Sequence, residues 1–420
     1  MARPKLQKSS SSEFPVEQQP TSLGMDADFS AELIRQINKD AGSKVAFNLG
    51  DSDAPTQVHR WISTGSKQLD YIIGNIPGIG GGVPEGRIIE YQGQTGIGKS
   101  HCLFEIAKAT QKMGGLVVYV DTENATSPEL LQKLGINVTK QMVFIQENCT
   151  ERVFSVIEST ILKARSMKTD VPVVVMWDSV ANTSPKAELE GEYDANTIGL
   201  QARVLGKGFR KITNLIAREH VVLVCAQQQR EKIGVLYGDP TTTPGGKALP
   251  YAASVRIKLG AGAQLKKTVE GKEKVIGIQV SAKVIKNRLS SPFREVNFEI
   301  HFGRGIIEHE QVFDHLRDWG ERHKDSPAML GNSKLVLEGT GAWKSFVVTN
   351  TTDNKELVNI KFHKSEFGER VLYNPEYKDY MTALMDAAYL VSSAIEAQQH
   401  STFAGAEDNE DTEPTVVAEQ

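Results

Sequence analysis

Gly93-Gln94-Thr95-Gly96-Ile97-Gly98-Lys99-Ser100 is the stretch on which the fold turns. It fits G-x-x-x-x-G-K-[ST], in which glycines let backbone N–H groups turn inward around phosphate and the following helix adds its positive end. Both flanks agree: residues 87–92 read as a buried apolar strand, and 99–113 have the period of an amphipathic helix. Lys99 is then the contact for β- and γ-phosphates, and the Ser100 hydroxyl a ligand for Mg²⁺ arriving with ATP. His101 follows within the same first turn, so the expected nucleotide contacts run from Gly93 to His101.

Working outward, strand patterns at 87–92, 116–121, 142–145, 171–178 and 221–226 alternate with helix patterns at 99–113, 128–134, 151–167 and 199–219. The alternation predicts an α/β fold, a mostly parallel twisted sheet of buried strands flanked by helices on both faces. Beyond residue 250 strands alone follow, at 254–259, 276–286 and 292–301, an antiparallel extension of that sheet. A boundary near 303–305 opens a small α+β C-terminal domain, 306–398, whose last helix covers 377–397. Residues 1–25, with the run Ser9-Ser10-Ser11-Ser12, lack apolar periodicity and read as a disordered tail; the acidic 399–420 reads as a mobile anionic one. Between the first tail and the core (61–305), residues 26–60 carry a helix over 30–38 and an apolar patch that needs a surface to bury.

The chain has 420 residues, 40% of them hydrophobic, with a net charge of -4. Its apolar runs fall far short of the roughly 20 residues of a membrane-spanning helix, and no apolar block with a cleavage site opens it, so a cytoplasmic protein with no membrane partner is expected. Cys102, Cys149 and Cys225 lie far apart without CxxC spacing, which argues against disulfides or zinc. A uniformly basic nucleic-acid binder is excluded. Base is nevertheless concentrated, with Arg256, Lys258, Lys266, Lys267, Lys272, Lys274, Lys283, Lys286 and Arg288 in one stretch.

Hydrolysis at such a loop needs a carboxylate beside the metal, a group to position water and a sensor of the γ-phosphate. Asp178 ends an apolar strand pattern and joins Ser100 at the metal. Glu123, two residues past the 116–121 strand, is the candidate base, and Gln228, at the end of another strand, the candidate sensor. Polar loops at 188–199 and 229–247 follow strand ends; the second holds Arg230, and Gly245-Gly246 permits close backbone approach to phosphate. Between them, the 199–219 helix sets Arg203, Lys207, Arg210, Lys211 and Arg218 on one stripe and Leu205, Phe209, Ile212 and Ile216 on the other. The cationic face suits phosphate tracking. Ring-forming helicases use the same core and stay open as an alternative; scaffold proteins that bind nucleotide without turnover use it too, but intact Lys99, Glu123 and Gln228 argue against that reading.

Several further blocks are similar to the bacterial RecA recombinases over roughly residues 62–305. They are Ile62-Ser63-Thr64-Gly65-Ser66 with Leu69-Asp70, Ser184-Pro185-Lys186-Ala187-Glu188-Leu189-Glu190-Gly191-Glu192, Lys232-Ile233-Gly234-Val235 leading to Thr242-Thr243-Pro244-Gly245-Gly246, and Val284-Ile285-Lys286-Asn287-Arg288. The resemblance implies a RecA-type P-loop ATPase core and a helical filament on single-stranded DNA that searches homologous duplex and exchanges strands. It makes Glu123 the water-activating acid, Gln228 the γ-phosphate sensor, and Lys286 and Arg288 cations reaching a neighbouring subunit's ATP. It makes 26–60 an oligomerisation segment, places Arg203, Arg210, Arg230, Gly245 and Gly246 at DNA, and implies single-strand-binding and loader proteins as partners. Five departures stand out: Arg288 replaces the usual Lys, His101 a Thr and Gln227 an Asn, while Ser127 and Leu130 stand where the family offers Asp and Tyr to the adenine.

Overall fold

The apolar runs around the phosphate loop lie side by side in one sheet. The computed structural model describes residues 27–51, 54–166, 170–192, 199–231, 241–269, 271–339 and 341–390. Its main sheet consists of β1 (Ile88–Gly93), β2 (Leu116–Asp121), β3 (Met142–Gln146), β4 (Val173–Asp178), β5 (Val222–Gln228), β6 (Val255–Val269), β7 (Lys272–Asn287), β8 (Glu295–His301) and β9 (Gly305–Ile307). The spatial order is β9-β8-β7-β6-β1-β5-β4-β2-β3. From β6 to β3 every pairing is parallel, and β7, β8 and β9 continue it antiparallel.

Because successive strand residues face opposite sides, β1 feeds two cores. Ile89 and Tyr91 pack with Leu103, Phe104 and Ile106 of one covering helix. Ile88 packs with Trp177 on the other face, beneath Phe154 and Phe209. The helices include α1 (Ala27–Ala41), α2 (Lys67–Gly74), α3 (Lys99–Lys112), α4 (Pro128–Lys133), α5 (Thr150–Ser166), α6 (Leu200–Arg218), α7 (Ala248–Ala252), α8 (His309–Arg322) and α9 (Lys378–Tyr389). Among them α3 covers the first face, and α5 with α6 the second.

Three sequence expectations change in detail. The strand at 142–145 is not buried: β3 closes the edge of the sheet, where Val143 and Phe144 are 46% and 45% exposed. The main sheet runs past the expected boundary at 303–305, since β9 pairs with β8 through Ile307. The last helix ends at Tyr389, with Leu390 extended. Residues 391–397 lie outside the described residues, as do the tails expected at 1–25 and 399–420.

After β9, strands β10 (Ala328–Leu330), β11 (Ser333–Glu338), β12 (Trp343–Asn350) and β13 (Glu356–His363) form an antiparallel sheet in chain order. It packs with α8 and α9 around Phe313, Phe346, Phe362 and Phe367. Buried Glu308 joins this layer to the core by capping α2, accepting from Ser66 Oγ at 2.5 Å and Lys67 N at 2.6 Å. Tyr71 Oη donates to Asp386 at 2.7 Å, and Tyr389 Oη to Gln68 Oε1 at 2.9 Å.

The described residues up to Gln57 form a separate compact unit. Within it, Asn38 Oδ1 accepts from Val45 N and Ala46 N at 2.7 and 2.8 Å, fixing the segment that leaves α1. Phe29, Leu33 and Ile37 stay exposed on α1 at helical spacing.

Candidate active site

Parallel strands deliver their C-terminal ends to one edge, where ligands of such sheets bind. At that edge Gly93 pairs with Gln228, and Asp121 with Asp178. The turn between β1 and α3 carries Gly96 and Gly98 at φ 77° and 94°, conformations that L side chains rarely adopt. A Cβ on Gly98 would also meet Ile300 Cδ1 at 2.3 Å, so sequence and packing both require glycine there. Lys99 folds over this turn, donating from Nζ to Gly93 O at 3.1 Å and Gln94 O at 2.7 Å. Burial lowers its pKa, and Asp178 and Glu123 oppose that shift.

Asp178 is 6% exposed, and its carboxyl accepts from Ser100 and, at 2.7 Å, from Tyr119 Oη. Burial raises its pKa; those two donors hold the anion against it. Glu123 Oε1 accepts from Ser179 Oγ at 2.8 Å and from Gln228 Nε2 at 2.6 Å. Asp121, buried behind them, accepts from the backbone N–H groups of Glu123, Asn124 and Thr126 at 2.8 to 3.1 Å. It thereby shapes the turn that presents Glu123. Thr95, Gly96, Gly98, Lys99, Ser100, His101, Glu123, Asp178 and Gln228 line one cavity of 250 Å³. The structure therefore brings together the loop, the metal pair, the base and the sensor expected from sequence.

Lys286 and Arg288 are absent from that lining. Lys286 pairs with Arg256, itself level with Glu90, so it lies two strands across and three residues back from Gly93. Its Nζ donates to Pro250 O at 2.7 Å and Tyr251 O at 3.1 Å, and Arg288 Nη2 donates to Tyr251 O at 3.2 Å. Burial, with help from Arg288 and Arg256, pushes the Lys286 ammonium down to about 8.

On α6, Arg203, Lys207, Arg210, Lys211 and Arg218 are exposed, whereas Leu205, Phe209, Ile212 and Ile216 are buried. Lys211 pairs with Glu158 and Arg218 with Glu219. Gly245, at φ 83°, sits so close to α6 that a Cβ would meet Leu205 Cδ1 at 2.4 Å; one on Gly246 would lie 3.3 Å from Ala202 Cβ. These glycines seat the loop end on the basic helix. Arg230 is placed by its backbone, pairing with Thr242, and Gln227 Nε2 donates to Pro244 O at 2.7 Å. Residues 193–198 and 232–240 of the two polar loops lie outside the described residues. Tyr119, Asp121 and Ser179 were not singled out from sequence, although Asp121 ends a strand at the same edge as Asp178.

Residues 29–307 match the family described as RecA N-terminal domain. The chain belongs to the RecA family. It is 40% identical to Protein RecA of Thermus thermophilus over 326 residues, 77% of this chain and 86% of that protein. It is 37% identical to Protein RecA of Allochromatium vinosum over 316 residues, 75% and 82% of the two chains. Against Protein RecA of Chloroherpeton thalassium it is 34% identical over 354 residues, 84% and 89%. As a RecA-family member the chain is a DNA recombinase of recombination and repair and a DNA-dependent ATPase; it binds DNA and forms filaments. No described helix is long and apolar enough to cross a membrane.

Proposed function

We propose that the chain polymerises on single-stranded DNA, searches duplex for homology and exchanges strands, with ATP hydrolysed at the junction between adjacent copies. The observation that carries this reading is the joint hydrogen bonding of Glu123 to Ser179 and Gln228, because Gln228 leads directly into the 229–247 loop. Glu123 orients the attacking water, and Gln228 passes the state of the γ-phosphate to the DNA side. Lys99 and the backbone from Gly93 to His101 hold the phosphates. A hydroxyl and a carboxylate, Ser100 and Asp178, are the hard oxygen donors suited to Mg²⁺, which keeps several waters and takes phosphate oxygens besides. Bound there, Mg²⁺ supplies charge neutralisation at the β- and γ-phosphates.

Lys286 and Arg288 serve a neighbouring copy, since β7 carries Lys286 away from its own cavity and Arg288 follows just past the strand's end. Cationic stabilisation supplied in trans ties turnover to assembly. The exposed apolar stripe of α1, in the 26–60 segment, packs on an adjacent copy, a head-to-tail contact that generates a helix rather than a closed ring. Arg203, Arg210, Arg230, Gly245 and Gly246 line the DNA path; the 306–398 domain captures duplex, and the acidic 399–420 tail competes with DNA for basic surface. The setting is cytoplasmic, with single-strand-binding and loader proteins as further partners.

A strand-exchange assay with homologous and heterologous duplexes tests this reading. Exchange confined to the homologous duplex is expected; homology-independent pairing would remove the recombination reading and leave the ATPase.

A further inference from the structure

The backbone fixes where an aspartate stands but not how its carboxylate is turned, because the terminal torsion of the side chain is broad. Two aspartates end neighbouring strands at the nucleotide site, Asp121 on β2 and Asp178 on β4. Asp121 is held by the turn that carries Glu123, whose N–H groups occupy both of its oxygens. Asp178 has no such turn. Among the described residues its carboxyl receives two hydroxyls, those of Ser100 and Tyr119. Ser100 is shared with the metal, whereas Tyr119 Oη donates at 2.7 Å to Asp178 Oδ2 and to nothing else described. The Tyr119 ring is fully buried against Phe104 and against Phe144, its partner on β3, with centroids 5.7 and 6.2 Å away. Phenylalanine would fill that space equally well, so the packing makes no use of the hydroxyl. The same hydroxyl is also bonded to the Thr126 side chain, and Tyr119 itself is not part of the cavity lining.

We propose that Tyr119 is a positioning residue of the ATPase, whose hydroxyl pins one oxygen of Asp178 so that the carboxylate is already oriented when Mg²⁺ arrives with ATP. The role rests on Ser100 and Asp178 as the Mg²⁺ donors proposed above and adds to them a residue that touches neither metal nor nucleotide. Through Thr126, whose N–H is held by Asp121, the hydroxyl also reaches the turn that presents Glu123. One buried group thus sets the metal carboxylate and braces the turn of the base. Hydrogen bonds that orient a metal ligand are worth about 10- to 100-fold in metal affinity or activity. Packing alone would act on stability and leave the metal dependence where it was.

The test compares the full-length wild-type chain with Tyr119→Phe and Phe144→Leu. Mg²⁺ is titrated into each with a fluorescent, slowly hydrolysed ATP analogue, so that binding is read without turnover, and DNA-dependent hydrolysis is followed over the same Mg²⁺ range. Tyr119→Phe is expected to raise the half-saturating Mg²⁺ about 10- to 100-fold in both measurements, with kcat at saturating Mg²⁺ within a few-fold of wild type. Phe144→Leu trims the ring contact and keeps the hydroxyl, so its half-saturating Mg²⁺ for binding should match wild type. An unmoved Mg²⁺ dependence in Tyr119→Phe overturns the proposal, whatever happens to kcat or stability. An equal shift in both variants overturns it as well, because the ring rather than the hydroxyl would then be responsible. Binding of the analogue to wild type with no Mg²⁺ dependence at all would instead defeat the reading of Ser100 and Asp178 as metal donors, so the two failures are distinguishable.

Discussion

Glu123 is held by two donors on one oxygen, Ser179 Oγ and Gln228 Nε2, and Oε2 is the atom proposed to act on the attacking water. Glu123→Gln keeps the shape and removes the base. DNA-dependent turnover should fall about 10²- to 10⁴-fold while nucleotide affinity stays within a few-fold, as read by steady-state hydrolysis and competition binding. Tyr119→Phe deletes a donor to a buried carboxylate and should cost roughly 1–3 kcal/mol in urea unfolding. Asp70 offers a pH test. Burial raises its pKa from 3.8 to about 7 despite hydrogen bonds from Ser63 and Thr64. The native state thus binds the Asp70 proton more tightly than the unfolded chain, and the stability this confers is complete below pH 3.8 and lost as pH rises to about 7. Asp70→Asn lacks that loss, so wild-type stability relative to the variant should decline across the window; a constant difference would refute the assignment. Asp178 and Glu123 were legible in the sequence because strand ends at a parallel sheet's C-terminal edge are where such groups work. Tyr119 was not, because a tyrosine within an apolar strand reads as core.

At the scale of elements, α6 shows what periodicity reveals and what it leaves hidden. Its two stripes were readable from spacing, and the structure buries one and exposes the other. Gly206 and Gly208 look equivalent in sequence and are not. A Cβ on Gly208 would lie 2.1 Å from Phe154 Cε2 on α5, whereas one on Gly206 meets only Arg210 Nη1 at 3.6 Å. Alanine is favoured over glycine in a helix by about 1 kcal/mol, but overpacking costs about 1–3 kcal/mol. Gly206→Ala should therefore raise the denaturation midpoint and Gly208→Ala should lower it. Equal shifts would mean that α5 and α6 do not cross as closely as described. The 142–145 strand was read as buried because Val143 and Phe144 are apolar; its place at the sheet edge depends on pairing order, which no local window contains.

For the whole molecule, the parallel core and its antiparallel extension were readable, since strand and helix periods alternate up to residue 250 and then cease to. The main sheet runs two residues past the expected C-terminal boundary because β9, only three residues long and opening on Gly305, folds straight back on β8 in a tight hairpin. Assembly is the central question at this scale. Exposed Phe29, Leu33 and Ile37 on α1, with Val143 and Phe144 on the edge strand, are apolar surface of the kind association covers. Lys286 and Arg288, turned to the carbonyls of Pro250 and Tyr251, are not among the described residues that line their own chain's nucleotide cavity. The most direct measurement of the shared site is complementation by mixing. Glu123→Gln and Lys286→Ala copies, each inactive alone, are combined in equal amounts on single-stranded DNA and ATP hydrolysis is followed. If each site joins Glu123 of one copy to Lys286 of the next, random head-to-tail assembly restores about one quarter of the wild-type rate. A mixture no faster than the average of the two variants alone would contradict a site built between copies.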